Sequence, residues 1–316
     1  MAKMKGLLLL FVLSWYLPTQ AIGSKARELV ELKDASQLAA PAASSVVLPT
    51  NKYASLEQLD SNLCWAFSFL SSVESTYLAA HPASSLVLSR GFLQNYQWQE
   101  RFQRWADLGI FYLKESGTAD DAFRMLKTYG IVQSKEYKSY ATRIEQYTKK
   151  KTSSANGEPI AFDKEEIQKL QLNVFEFYFP LDLPKSSKFE SQELSPLQLA
   201  EKVLDGKIWK TYAVSTDGTE KIGEHYDSDA SPGLKVQYLL REKIQKMILG
   251  SLNSKIAVYV SFSGDGWGHS LSLYGVDFDK ENRPIRFYMK DTYADYFFIA
   301  DPELVMKNFR AITTAL

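Results

Sequence analysis

The run Cys64-Trp-Ala-Phe-Ser68, continued by Phe69, Leu70, Val73 and Tyr77, is apolar on too many sides to lie on a surface, so it predicts a helix buried in a core. Ser61 and Asn62 are good cap residues and place the helix start just ahead of Cys64. A side chain in that first turn meets the positive end of the helix dipole and backbone N–H groups without helical partners, a setting that favours an anion. Cys64 is the one cysteine in 316 residues, so no disulfide staples the fold. A lone cysteine can equally be a small buried hydrophobe. Its company decides between the two.

Three histidines are present, and His269 has the setting of a general base. It follows Gly264-Asp-Gly-Trp-Gly268 and opens the strand-like run Ser270-Leu-Ser-Leu-Tyr-Gly-Val276, after a helix-like stretch (239–252) and an apolar strand (256–262). Polar residues 279–284 then turn the chain, and 285–290 alternate apolar and polar as a half-buried strand does. The result is an antiparallel hairpin. A register that sets Asp277 opposite Arg283 also sets His269 opposite Asp291, with Cβ atoms about 4.5–5.5 Å apart. Taken alone, His269 would read as a strand-edge histidine satisfying its own hydrogen bonds.

Together these residues resemble the papain-like cysteine peptidases. Gln58 precedes Cys64-Trp65-Ala-Phe-Ser at the family's spacing, and His269 with the strand after it is similar to the family's His-Ala-Val segment. Asp291-Thr-Tyr293-Ala stands where the family has Asn-Ser-Trp-Gly, and Glu115-Ser116-Gly117-Thr118 resembles its Gly-Gly segment. Ser61-Asn62-Leu63-Cys64 lacks the extra cysteine that many members pair in a disulfide.

The resemblance implies an α+β, papain-like two-lobe fold, with Cys64 on a helical lobe, His269 and Asp291 on a β-rich lobe, and the active site in the cleft. It implies a nucleophile at Cys64, a base at His269, an orienting acid at Asp291 and an oxyanion hole from Gln58 and the Cys64 N–H. Gly117 and Ser116 would lie against the substrate backbone, with Trp65 and Tyr293 flanking the site. Thr118 or Ser116 also suits a helix cap, and both readings can hold.

The implied function is a cysteine peptidase hydrolysing peptide bonds. The same residues would serve a thiol acyltransferase, an amidase or an aminopeptidase. Asp291, Tyr293 and Ser116 depart from the pattern, so a catalytically weak peptide-binding pseudoenzyme is the competing class; retention of Gln58, Cys64 and His269 together favours catalysis.

Cys64 and His269 are further apart than the roughly 130–150 residues expected between such partners. An insertion is therefore expected at about 140–235, within a peptidase domain of 46–316. Ser195-Pro-Leu-Gln-Leu with Trp209-Lys-Thr-Tyr-Ala213 resembles the bleomycin-hydrolase and aminopeptidase C branch. Residues 22–45, rich in Ala and Ser, read as a linker or short pro-segment.

The N-terminus combines basic Met1-Ala-Lys-Met-Lys5, an apolar stretch from Gly6 to Leu17 and Pro18-Thr-Gln-Ala21. That is the pattern of a signal peptide spanning 1–21, since the apolar stretch is shorter than the ~20 residues a membrane span needs. The expectation is a secreted or periplasmic protein with no membrane span. Lys plus Arg and Asp plus Glu are 37 each, so nothing favours nucleic acid or anionic membrane. No cofactor is expected, and the partner is a peptide or protein substrate. His225, Asp227 and Asp229 match no metal-loop spacing and read as a solvated loop. The aromatic run from Phe92 to Phe111 has no basic stripe beside it and reads as core or groove wall.

Overall fold

The computed structural model describes residues 28–30, 33–34, 42, 44–50, 62–109, 116–137, 144–154, 160–179, 182–224, 235–264, 267–292 and 297–316. The signal-peptide pattern at 1–21 lies outside them. Two short strands, β1 (Lys33–Asp34) and β2 (Ser44–Val47), precede three helices, α1 (Cys64–Ala80), α2 (Arg90–Leu108) and α3 (Ala119–Tyr129). From Trp65 to Leu78 every residue of α1 is buried, as a helix apolar on all sides requires. Ser89 caps α2 by accepting from the Phe92 N–H, and α2 ends at Gly109 in the left-handed conformation. Thr118 and Asp121 close a capping box on α3.

Phe69, Val73 and Tyr77 of α1 meet Leu93 of α2 and Met125 and Leu126 of α3 in the helical core. One ion pair crosses it. Arg90 and Glu74, both about 1% exposed, bond each other while Glu74 also accepts the Leu88 N–H at 2.7 Å. With its remaining hydrogen bonds to Ser71 and the Leu88 carbonyl, the buried guanidinium has partners on several sides, which keeps its desolvation tolerable.

The segment expected to be inserted, 140–235, divides among three places. Helices α4 (Ile144–Thr152) and α5 (Lys164–Tyr178) pack on the outer side of α2, where Trp98, Phe102 and Trp105 meet Ile144, Ile167, Leu170 and Val174 in a small core of their own. The hairpin β3 (Ser187–Phe189) and β4 (Gln192–Leu194) leads to α6 (Pro196–Leu204), whose Leu199, Val203 and Leu204 belong to the main helical core. Strands β5 (Trp209–Val214), β6 (Lys221–Glu224) and β7 (Lys235–Leu239) join the large sheet.

Most of the rest of that sheet follows helix α7 (Arg241–Asn253): β8 (Val258–Gly264), β9 (Trp267–Phe278), β10 (Pro284–Lys290) and β11 (Phe297–Ala300), then helix α8 (Pro302–Asn308) and β12 (Ala311–Ala315). The strand order is β1-β11-β10-β9-β8-β12-β5-β7-β6, with β2 added to the far end of β9. Only β5 and β7 run parallel among these described pairs. Period-two alternation sends Val258, Val260, Phe262, Leu271 and Leu273 into a core with Ile244, Ile248 and Leu252 of α7.

Part of the N-terminal segment is built into this lobe. Val30 is fully buried in its core, the Leu29 carbonyl accepts from Asn308 Nδ2 at 3.1 Å, and β1 pairs with β11. Helices on one side and a mixed sheet on the other make the chain α+β. Among the described residues no helix is long and apolar enough to cross a membrane.

Candidate active site

Cys64 is the first residue of α1, but the cap position is Leu63 and not Asn62, and Leu63 makes no side-chain cap bond. The cap position falls on Leu63, because that side chain is drawn completely into the core and sets where helical backbone begins. Ser61 lies outside the described residues. The correction matters chemically, because a leucine at the cap position brings no side-chain oxygen of its own to the first-turn N–H groups beside Cys64. The Cys64 side chain itself is partly exposed.

His269 sits on β9 opposite Phe262 of β8. Its Nε2 is 2.8 Å from Asp291 Oδ1, and both residues are 2% exposed. Asp291 also accepts the Thr292 N–H at 2.6 Å, which fixes the carboxylate just beyond β10. The hairpin carrying the pair is present, but its register is not the one expected. Arg286, not Arg283, lies opposite Asp277, and the last pairs are Met289 with Leu273 and Lys290 with Ser272. Carried one step further, that ladder puts Asp291 across from Leu271. Irregularities after Pro284 and Tyr288 absorb the difference, and sequence periodicity does not report such bulges. Next to Asp291 the slip is two positions, which keeps its side chain on the same side of the ladder as that of His269, so the contact survives as a diagonal one.

Burial by itself would push the His269 pKa down, but the Asp291 carboxylate and the Cys64 thiol on its other side raise it, to about 10. Since Nε2 is held by Asp291, Nδ1 is the ring nitrogen left to serve Cys64. The structure thus brings Cys64, His269 and Asp291 together. An imidazolium held between a carboxylate and a sulfur can exchange a proton with whatever reacts at that sulfur.

Trp65, next in the chain, is 1% exposed and lies against Gly117: a Cβ on Gly117 would come within 2.7–2.9 Å of the indole ring. The Ser116 carbonyl accepts from Gln97 Nε2 at 3.2 Å and from Arg101, tying this segment to α2. Thr118 is the cap of α3, as one of the two expectations for the segment had it. Gln58 and Tyr293 lie outside the described residues, as do His225, Asp227 and Asp229. Among the described residues no group of three or more His, Cys, Asp or Glu side chains is placed to hold a metal.

The sequence reading passed over a row of buried hydroxyls below Cys64. Ser68, Ser72 and Thr76 follow Cys64 at intervals of four, the spacing of one helix face. Each bonds the β-rich lobe: Ser68 Oγ donates to the Ser270 carbonyl at 2.6 Å, Ser72 Oγ and Ser272 Oγ are 2.8 Å apart, and Thr76 Oγ1 accepts the Ala257 N–H at 3.0 Å. That interval was the signal in the sequence, hidden by the apolar residues around it.

This is the fold of the papain-like cysteine peptidases. Among solved structures the chain is similar to PepW from Lactobacillus rhamnosis HN001, with a TM-score of 0.58 and 13% identity over 98% of this chain and 91% of that one. Fainter likenesses include procathepsin L 3 from the larval midgut of Tenebrio molitor (TM-score 0.40, 12% identity, 93% of this chain and 79% of that one) and xylellain, a cysteine protease from Xylella fastidiosa (0.36, 11%, 88% and 90%). No family model and no curated protein sequence matches the chain.

Proposed function

We propose that this chain is a cysteine peptidase in which Cys64 is the nucleophile, His269 the acid and base, and Asp291 the group that orients His269. The observation that carries the reading is the His269–Asp291 bond at 2.8 Å together with the interaction of the same imidazole with Cys64. A papain-like fold of the same extent as PepW supports it.

The Cys64 thiolate adds to a peptide carbonyl carbon, forming a C–S bond and a tetrahedral oxyanion. The Cys64 N–H and Gln58 stabilise that oxyanion. His269 gives its proton to the leaving nitrogen, the C–N bond breaks, and a thioester remains on Cys64. The now neutral ring takes a proton from water, whose oxygen displaces the sulfur and releases the acid. Ser116 and Gly117, backed by the buried Trp65, form a wall for the substrate chain, and Tyr293 is a further substrate-binding residue. The protein acts outside the cytoplasm, secreted or periplasmic, after loss of 1–21; N-terminal sequencing of exported protein should begin at Ile22.

The decisive experiment is labelling with an epoxide or vinyl-sulfone thiol inhibitor, alongside hydrolysis of a mixed peptide library under reducing conditions. Wild type should be modified at Cys64 and cleave peptides, whereas Cys64→Ala and His269→Ala should fold but turn over nothing. Normal turnover by Cys64→Ala would overturn the mechanism. Peptide binding without labelling or cleavage would make the chain a pseudoenzyme.

A further inference from the structure

The nucleophile and its base stand on different lobes, Cys64 at the head of α1 and His269 on β9. Their separation is set where α1 packs on the sheet, chiefly on β9, and at van der Waals contact apolar packing alone tolerates small slides. Hydrogen bonds are less forgiving, because their distances and angles are narrow.

Two of them cross this seam close to the reacting groups. Ser68 is one helical turn from Cys64, and the carbonyl it donates to belongs to Ser270, the residue after His269. One turn further, Ser72 bonds Ser272. Ser68, Ser72 and Ser272 are each at most 1% exposed, so a mismatch cannot be repaired by water. The Ser270 hydroxyl is held in turn by Tyr259, its oxygen 2.6 Å from Tyr259 Oη, which braces β9 against β8. Thr76, two turns below Ser68, makes the same kind of cross-lobe bond far from the sulfur.

We propose that Ser68 and Ser72 are positioning residues: through Ser270 and Ser272 they lock the helix of Cys64 to the strand of His269 and so hold sulfur and imidazole at pairing distance. The proposal rests on the Cys64–His269 reading above and concerns only how that pair is kept. Thr76, on the same face but remote, is the internal control.

The test follows alkylation of Cys64 by iodoacetamide as a function of pH, a readout of the thiolate–imidazolium pair that needs no substrate, together with kcat and KM on a peptide. Ser68→Ala should narrow the pH range of fast alkylation at both ends and lower kcat about tenfold with little change in KM, the loss expected when one fixed hydrogen bond near the reacting pair goes. Thr76→Val should lower Tm comparably yet leave the alkylation profile unchanged. If Ser68→Ala fails to fold, Ser72→Ala combined with Ser272→Ala removes both ends of a bond without orphaning either, and carries the same expectation. A Ser68→Ala or double variant with the wild-type alkylation profile would overturn the proposal, as would a Thr76→Val profile shifted equally. A wild-type profile with the single limb of an ordinary thiol would instead overturn the Cys64–His269 pair itself, and the proposal with it.

Discussion

Asp291 reaches His269 diagonally across the β9–β10 hairpin, with 2.8 Å between Oδ1 and Nε2 although the ladder, carried one step past Lys290, would put Asp291 level with Leu271. The Thr292 N–H, 2.6 Å from the same oxygen, holds the carboxylate in that reach. A carboxylate here, in place of an amide, places a full negative charge beside a buried imidazole. That charge, with the sulfur opposite, is what keeps the ring protonated in spite of its burial.

Replacing that charge tests its role directly. His269 in the fold is protonated up to about 10 against an ordinary value near 6.5, so the ion pair's stabilisation is complete below about 6.5 and is lost as pH rises toward 10. Asp291→Asn still orients the ring but withdraws the charge, so the histidine gives up its proton at lower pH. Activity should stay within about tenfold of wild type near neutrality, while the alkaline limb of kcat/KM moves to lower pH. Asp291→Ala should lose more, because nothing then fixes the tautomer. Superimposable pH–rate profiles for all three proteins would remove Asp291 from the mechanism.

Gly117 and Trp65 give a second test, because no Cβ fits between them. Gly117→Ala should cost about 1–3 kcal/mol of stability as the indole is forced aside. Displacing the residue next to Cys64 should also lower peptide turnover more than iodoacetamide reactivity. Gly117→Ala combined with Trp65→Phe should recover stability beyond the sum of the single changes, a coupling that urea melts in a double-mutant cycle would measure. Strict additivity would show that the ring has room to move.

Asp120 gives a prediction about stability alone. Burial pushes its carboxyl up to about 6, more than the hydrogen bond from Thr211 pulls it down, and the charge of Asp121 adds to the rise. Between the unfolded value of about 3.9 and 6 the folded chain holds the extra proton, so stability falls as pH rises through that window and stays lower above it. Asp120→Asn keeps an acceptor for Thr211 without the charge. It should stabilise the protein by about 2 kcal/mol at pH 7.5, with the gain shrinking toward pH 4. A gain independent of pH would point to packing instead.

Much of the site was legible in the chain because its signals are local. The apolar density from Trp65 to Tyr77 demands a buried helix, and the alternation at 285–290 demands a strand, whatever lies elsewhere. Side-chain parity explains why the His269–Asp291 contact was found through a wrong register, since the slip at that end of the ladder is two positions and preserves the side on which Asp291 falls. What lay beyond the sequence depends on partners far along the chain. Leu63 takes the cap position because the core claims its side chain, a choice that local cap preference at Asn62 does not report. Likewise Val30 is buried in a core with strands and helices more than 180 residues away, though its Ala- and Ser-rich surroundings read as linker. The hydroxyls of Ser68 and Ser72 look like ordinary polar positions until β9 is laid against them, because a hydrogen bond is defined by both of its ends and the chain near each shows only one.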